Sequence, residues 1–149
     1  MSDQPKEATV SAWVRLLRAH RLALSSVERA LKAAGMLPLA WYDVLLELDR
    51  AGEAGLRPFE LEHAMLLEQY NLSRLLARIE RAGLIERRAC GDDGRGLTIL
   101  ITDRGRTQRR EMWPIYASAI ETAVGAELYE QDILKLNDIL GQFLADDKS

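Results

Sequence analysis

The chain of 149 residues is poor in the side chains that build metal sites, redox staples or catalytic dyads. It has one cysteine, Cys90, so an internal disulfide framework is excluded and the expected compartment is the cytoplasm. It has two histidines, His20 and His63, and with Cys90 they suggest neither a zinc cluster nor a histidine-based triad. There is no P-loop, no Rossmann glycine pattern and no His-Glu-x-x-His. An enzyme is therefore not expected, and no cofactor or metal is implied. No apolar run approaches the roughly 18 residues that span a bilayer. The opening Met-Ser-Asp-Gln-Pro-Lys-Glu is polar and does not read as a signal peptide, so no membrane partner is expected.

What is present is the profile of a soluble globular protein, 48% hydrophobic and 29% charged, long enough to bury a core without staples. The net charge of −3 argues weakly against a polyanionic partner. Its distribution argues the other way. From Arg74 to Arg110 there are ten arginines, no lysine and five acids. That segment carries +5 and leaves −8 on the rest of the chain. Such asymmetry attracts a polyanion to one surface and discourages it elsewhere.

Apolar spacing places a first helix from about Val10 to Ala34. Trp13, Leu17, His20, Leu24, Val27 and Leu31 follow a 4-3-4-3-4 stripe, as on a helix packing against other long helices. Gly35 suits the left-handed position that ends it. Pro38 can open a second helix, with Trp41, Leu45 and Leu48 inward. Residues 51–55 read as a loop, and Leu56 and Arg57 as a short strand. Pro58 can start a short third helix to about Ala64, with Phe59 and Leu61 apolar. A fourth helix is expected from Glu68 to Ala82, with Leu72, Leu75, Leu76 and Ile79 inward and Gly83 ending it. Strands Leu84–Cys90 and Leu97–Ile101 then flank a polar, glycine-rich tip at 91–96. Thr102 is an N-cap candidate for a fifth helix, about 103–125, in which Pro114 predicts a kink or break near Ile115. The last helix, about Glu130 to Leu144, carries Ile133, Leu136, Leu140 and Phe143.

A short helix, a turn and a second helix, followed by a tipped hairpin, outline a winged helix-turn-helix. The major groove admits one α-helix, whose N-terminal side chains reach base edges. Those positions hold Gln69, Tyr70, Asn71, Ser73 and Arg74. Gln and Asn can pair with adenine, Arg with guanine, and Tyr or Ser with phosphate or a thymine methyl. Arg78, one turn on, suits backbone phosphate. Arg95 at the hairpin tip is the candidate for the minor groove, which attracts cations. Asp93 is better suited to pairing with a base-of-hairpin arginine such as Arg87, stiffening the wing.

Residues 56–105 resemble the MarR (multiple antibiotic resistance regulator) family of bacterial transcription factors. The matching residues are Asn71-Leu72-Ser73-Arg74-Leu75-Leu76, then Arg78 through Arg87 in Arg-Ile-Glu-Arg-Ala-Gly-Leu-Ile-Glu-Arg. They continue with Asp93-Gly94-Arg95 and Ile101-Thr102-Asp103-Arg104-Gly105. The resemblance implies a mainly α fold with a small β-hairpin wing (α+β). It implies one MarR-like domain over 1–149, with a winged helix-turn-helix lobe at 36–102 and a helical dimerisation lobe at 8–35 and 103–146. The implied partners are double-stranded DNA and a second copy of the chain, with Arg88 joining the DNA-contacting residues. A small aromatic or phenolic acid is implied as effector. Trp13, His20, Trp41, Tyr42, Trp113 and Tyr116 are its candidate contacts, and Arg15, Arg18 and Arg21 could hold its carboxylate. Three positions depart from the family pattern: Gly94 where a basic residue is usual, an unusually acidic helix at 59–64, and Pro114. Two alternatives stand beside this reading. One is a winged-helix protein–protein adaptor without DNA binding. The other is a redox-responsive regulator using Cys90, whose pKa Arg87 and Arg88 could lower.

Overall fold

The computed structural model describes residues 3–90 and 96–145, apart from the side chain of Cys90. They form six α-helices and one antiparallel hairpin: α1 (Glu7–Ala33), α2 (Leu39–Ala51), α3 (Pro58–Ala64), α4 (Leu72–Arg81), β1 (Ile85–Cys90), β2 (Gly96–Ile101), α5 (Asp103–Ile120) and α6 (Glu130–Leu144). The chain divides into two compact units. One is Leu31–Ile115; the other joins the chain up to Ala30 with the chain from Tyr116 onward.

The unit Leu31–Ile115 has an apolar core built by α2, α3, α4 and the hairpin. Val44, Leu45, Leu48, Leu61, Leu75, Leu76, Ile79, Leu84, Ile85, Ile99 and Ile101 are its buried members. They come from helix faces of period 3.6 and from strand positions on one side of the sheet. Within α2 the expected inward residues Leu45 and Leu48 are fully buried, and Trp41 is half-buried. In α3, Leu61 is buried while Phe59 is exposed, so only one of the two expected apolar positions enters the core.

Local chemistry sets the element ends. Gly35 and Gly83 both adopt positive φ, +73° and +79°. At Gly83 the Leu84 N–H bonds the Ile79 carbonyl and the Gly83 N–H bonds the Glu80 carbonyl, the paired bonds of a Schellman motif. Pro58 stands at the first position of α3, and Glu60 accepts the Arg57 N–H at 2.9 Å. The strand expected at Leu56 is a single bridge: Leu56 and Ile99 exchange N–H···O bonds of 3.0 and 2.8 Å, adding a third edge beside the hairpin. The hairpin register runs from Ile85↔Ile101 to Cys90↔Gly96.

Thr102 links the wing to α5. Its hydroxyl donates to the Gly83 carbonyl at 2.7 Å and accepts the Gly105 N–H at 3.1 Å. Two elements distant in sequence therefore share one cap. Gly105 lies against this junction: a Cβ there would collide with the Leu84 carbonyl oxygen and stand 2.7 Å from Ile101 Cγ1.

Two expectations are corrected. The fourth helix begins at Leu72, not Glu68, because Asn71 caps it and residues 65–71 form the turn. α5 continues through Pro114 to Ile120, so of the kink or break expected near Ile115 the break is absent. A π-helical turn, Glu121–Gly125, follows, with the Ala126 N–H bonded to the Glu121 carbonyl at 2.8 Å.

In the other unit, Val27 and Ala119 are buried. The predicted α1 stripe is otherwise open toward its N-terminal end, where Trp13 is 61% exposed and Leu17 is also exposed. On α6 Leu134, Ile139, Leu140, Phe143 and Leu144 are exposed too.

The packing at Gly105 gives the first prediction. Gly105→Ala should lower the unfolding free energy by about 2 kcal/mol through overpacking. Urea denaturation followed by circular dichroism measures this; an unchanged midpoint would contradict the described junction.

Candidate nucleic-acid interface

The surface carrying the candidate DNA contacts is built by the turn 65–71, the first turns of α4 and strand β1. Asn71 sits at the N-cap of α4, its side-chain oxygen accepting the Arg74 N–H at 3.1 Å. That bond satisfies one of the orphan donors at the helix start. It also engages the carboxamide oxygen that adenine recognition would use. Ser73, Arg74 and Arg78 are exposed on the outer face of α4, opposite the buried Leu75, Leu76 and Ile79. Gln69 and Tyr70, expected inside the helix, lie in the turn before it; Gln69 is half-buried and Tyr70 is 108% exposed. Among the described residues no backbone N–H from Glu68 to Ser73 finds an acceptor. These donors lie at and just before the positive end of the α4 dipole, where anions are favoured.

The turn is fastened from below. Asp43 of α2 is buried, and its two carboxylate oxygens accept the N–H groups of Leu66 at 3.0 Å and Leu67 at 2.7 Å. Charge-assisted bonds of this kind are the strong ones. The sequence reading missed Asp43. Its signal is a carboxylate inside the apolar run Tyr42-Asp43-Val44-Leu45-Leu46 of a buried helix, a placement that requires hydrogen-bond partners.

Ion pairing sorts the ten arginines of 74–110. Arg109 Nε meets Asp49 of α2 at 2.6 Å, with Arg106 at 3.7 Å from the same carboxylate and at 2.8 Å from Asp103. Burial opposes the charge on Arg109, but hydrogen bonds to Asp49 and Tyr42 outweigh it and raise the pKa above its ordinary value. Arg109 thus belongs to an internal tie between α5 and α2. Arg88, a candidate DNA contact on β1, is exposed and paired with Glu86 at 2.6 Å. Arg87 lies 3.5 Å from Glu80, and its buried Nε has no hydrogen-bond partner among the described residues. Its expected partner Asp93, the tip arginine Arg95 and Gly94 lie outside the described residues. Arg74, Arg78, Arg81, Arg104 and Arg110 have no carboxylate partner among the described residues.

The effector candidates fall on different units. Trp13, His20 and Tyr116 belong to one, and Trp41, Tyr42 and Trp113 to the other. Trp13 and His20 are exposed and Tyr116 half-buried. Tyr42 is buried in its own unit and stacks on Trp113 with ring centroids 6.4 Å apart. Arg15, Arg18 and Arg21 are exposed on α1. Cys90 ends β1 opposite Gly96. Among the described residues no helix is long and apolar enough to cross a membrane.

A two-helix unit with a capped, outward-facing second helix, followed by a two-stranded hairpin, defines the protein class as winged helix-turn-helix. Residues 35–96 match the model of the MarR family. No curated protein matches the sequence. Among solved structures, similarity extends over nearly the whole chain. Sco3205 of Streptomyces coelicolor, a MarR family transcriptional regulator in complex with DNA, is 25% identical with a TM-score of 0.83, covering 99% of this chain and 94% of its own. AbsC, a MarR family transcriptional regulator from the same organism, is 25% identical with a TM-score of 0.79 and 95% coverage of both chains. BpsR of Bordetella bronchiseptica, whose DNA binding is regulated by 6-hydroxynicotinic acid, shares the fold at 17% identity and a TM-score of 0.80, covering 95% of this chain and 99% of its own.

The cap yields a second prediction. Asn71→Ala should cost about 1 kcal/mol of stability and Asn71→Asp much less, because aspartate also accepts the Arg74 N–H. Chemical denaturation of the two variants decides it; equal losses would deny the capping role.

Proposed function

We propose that the protein is a sequence-specific double-stranded DNA-binding transcriptional regulator, a repressor that acts as a homodimer on a pseudo-palindromic operator. The observation that carries this reading is the outer face of α4. Ser73, Arg74 and Arg78 are exposed there, and Arg74 and Arg78 have no carboxylate partner among the described residues. Arg74 and Ser73 sit in the first helical turn, where a recognition helix reaches base edges. Arg74 is suited to guanine O6 and N7, and Tyr70, projecting from the turn, to a thymine methyl. Asn71 acts first as the cap that holds this end rigid. Gln69 stands beside these contacts in the turn. Arg78 and Arg88 supply phosphate contacts, and Arg95, which lies outside the described residues, is assigned to the minor groove. The complex of Sco3205 with DNA supports duplex DNA as the partner.

One recognition helix reads too few base pairs to select a genomic site. A twofold dimer reads two half-sites roughly 34 Å apart. The dimerisation lobe is assigned to residues 8–35 and 103–146. Its support is the row of apolar side chains left exposed on α1 and α6, including Trp13, Leu17, Leu134 and Phe143; apolar patches on a surface mark interaction sites. A small aromatic or phenolic effector acts by binding one dimer conformation better than the other, and a coupling of a few kcal/mol would release the operator. The hydroxynicotinic acid response of BpsR supports that class of ligand.

Selection of bound sequences from random duplexes should return inverted half-sites. Arg74→Ala should bind the selected duplex about tenfold or more weakly and lose preference at one position per half-site, as expected of a bidentate arginine contact. Unchanged affinity and selectivity would refute the assignment of α4. Phe143→Glu should shift the protein from dimer to monomer in sedimentation equilibrium at micromolar concentration. A wild-type monomer under those conditions would refute the dimer.

A further inference from the structure

We propose that Asp43 is a positioning residue for duplex recognition. It touches no DNA; it fixes the turn from which α4 enters the groove. The proposal rests on the reading of α4 as the recognition helix.

Among the described residues, the backbone donors between Met65 and Arg74 that find an acceptor are the two held by this carboxylate. The Met65 N–H still bonds the Leu61 carbonyl and closes α3. Leu66 and Leu67 then give their N–H groups to Asp43, one to each oxygen. From Glu68 to Ser73 no backbone N–H has an acceptor among the described residues, and the next fixed donor is Arg74 at the Asn71 cap. Side-chain burial is partial: Met65 packs on the core and Leu67 and Gln69 are half-buried, while Leu66 is 77% exposed and Tyr70 fully so. A segment with few internal backbone bonds has low local stability. The path of the chain into α4 is therefore set by a bond to α2, 23 and 24 residues earlier in sequence.

Base-edge and phosphate contacts respond differently to a loosened turn. Reading a base edge requires side chains held within about half an ångström. Attraction to phosphate depends on charge and is tolerant of position. Loss of the Asp43 clamp should thus reduce selectivity while leaving nonspecific binding in place. Asn at this position is close in size but offers one acceptor oxygen and sets an NH2 group against the other donor.

The test compares wild type, Asp43→Asn and Asp43→Ala for binding to a selected duplex and to a scrambled duplex of equal length and salt. Asp43→Asn should lose about tenfold or more of its affinity for the selected duplex and keep scrambled-duplex affinity within about twofold. A role in stability alone would lower both affinities together with the folded fraction and leave their ratio unchanged; that result overturns the proposal. Should the variants not fold, amide hydrogen exchange of the wild type decides: Leu66 and Leu67 should exchange about tenfold or more slowly than Glu68 and Tyr70. Equal rates would overturn it. A wild type that prefers no duplex overturns the reading of α4 itself. An unchanged ratio in Asp43→Asn, beside a wild type with a clear preference, overturns the Asp43 proposal alone.

Discussion

The turn that leads into α4 is fastened by one buried carboxylate. Asp43 takes two backbone N–H groups out of solvent and gives them charged acceptors at 3.0 and 2.7 Å. A buried carboxylate is costly without such partners, and a broad turn is loose without such an acceptor, so each needs the other. The same helix carries two further ties. Tyr42 stacks on Trp113, and Asp49 binds Arg109, so α2 holds α5 on one side and the turn before α4 on the other. Within its unit, α2 is the part against which the other elements are aligned.

That arrangement explains which parts of the fold were legible in the sequence. Signals that act over a few residues read correctly. Pro58 opens α3, Gly83 closes α4, and Thr102 caps α5, because each works through its own backbone angles or a bond three residues away. The start of α4 did not read correctly. Leu66-Leu67-Glu68-Gln69 has good helix propensity, and nothing nearby forbids a helix there. The competing terms are the cap at Asn71 and a carboxylate more than twenty residues upstream. Tertiary contact overrides propensity at that point, and such a contact leaves only a faint mark on the sequence. Pro114 lies inside a helix that continues through it, so the break, one of the two outcomes expected of it, is absent.

The candidate site was legible as a set of residue types more than as a set of roles. An excess of arginine over 74–110 marks a polyanion-facing segment, but it does not say which arginines are available. Geometry separates them. Arg106 and Arg109 serve the tie to Asp49, Arg87 and Arg88 lie beside glutamates, and Arg74 and Arg78 stand on the outer face of α4. Asn71, expected at the base edges, also caps α4. On α1 and α6 the periodicity is plain in the sequence, but an apolar stripe does not say what covers it, and many of its side chains stand exposed.

The central claim is that the exposed start of α4, presented by α2, is where the protein meets duplex DNA. Backbone amide chemical shifts of the wild-type protein, titrated with a selected duplex, test it most directly. The account predicts the largest changes between residues 68 and 78, with α6 (Glu130–Leu144) little affected. Changes concentrated on α6 or on α1, with 68–78 unmoved, would contradict it.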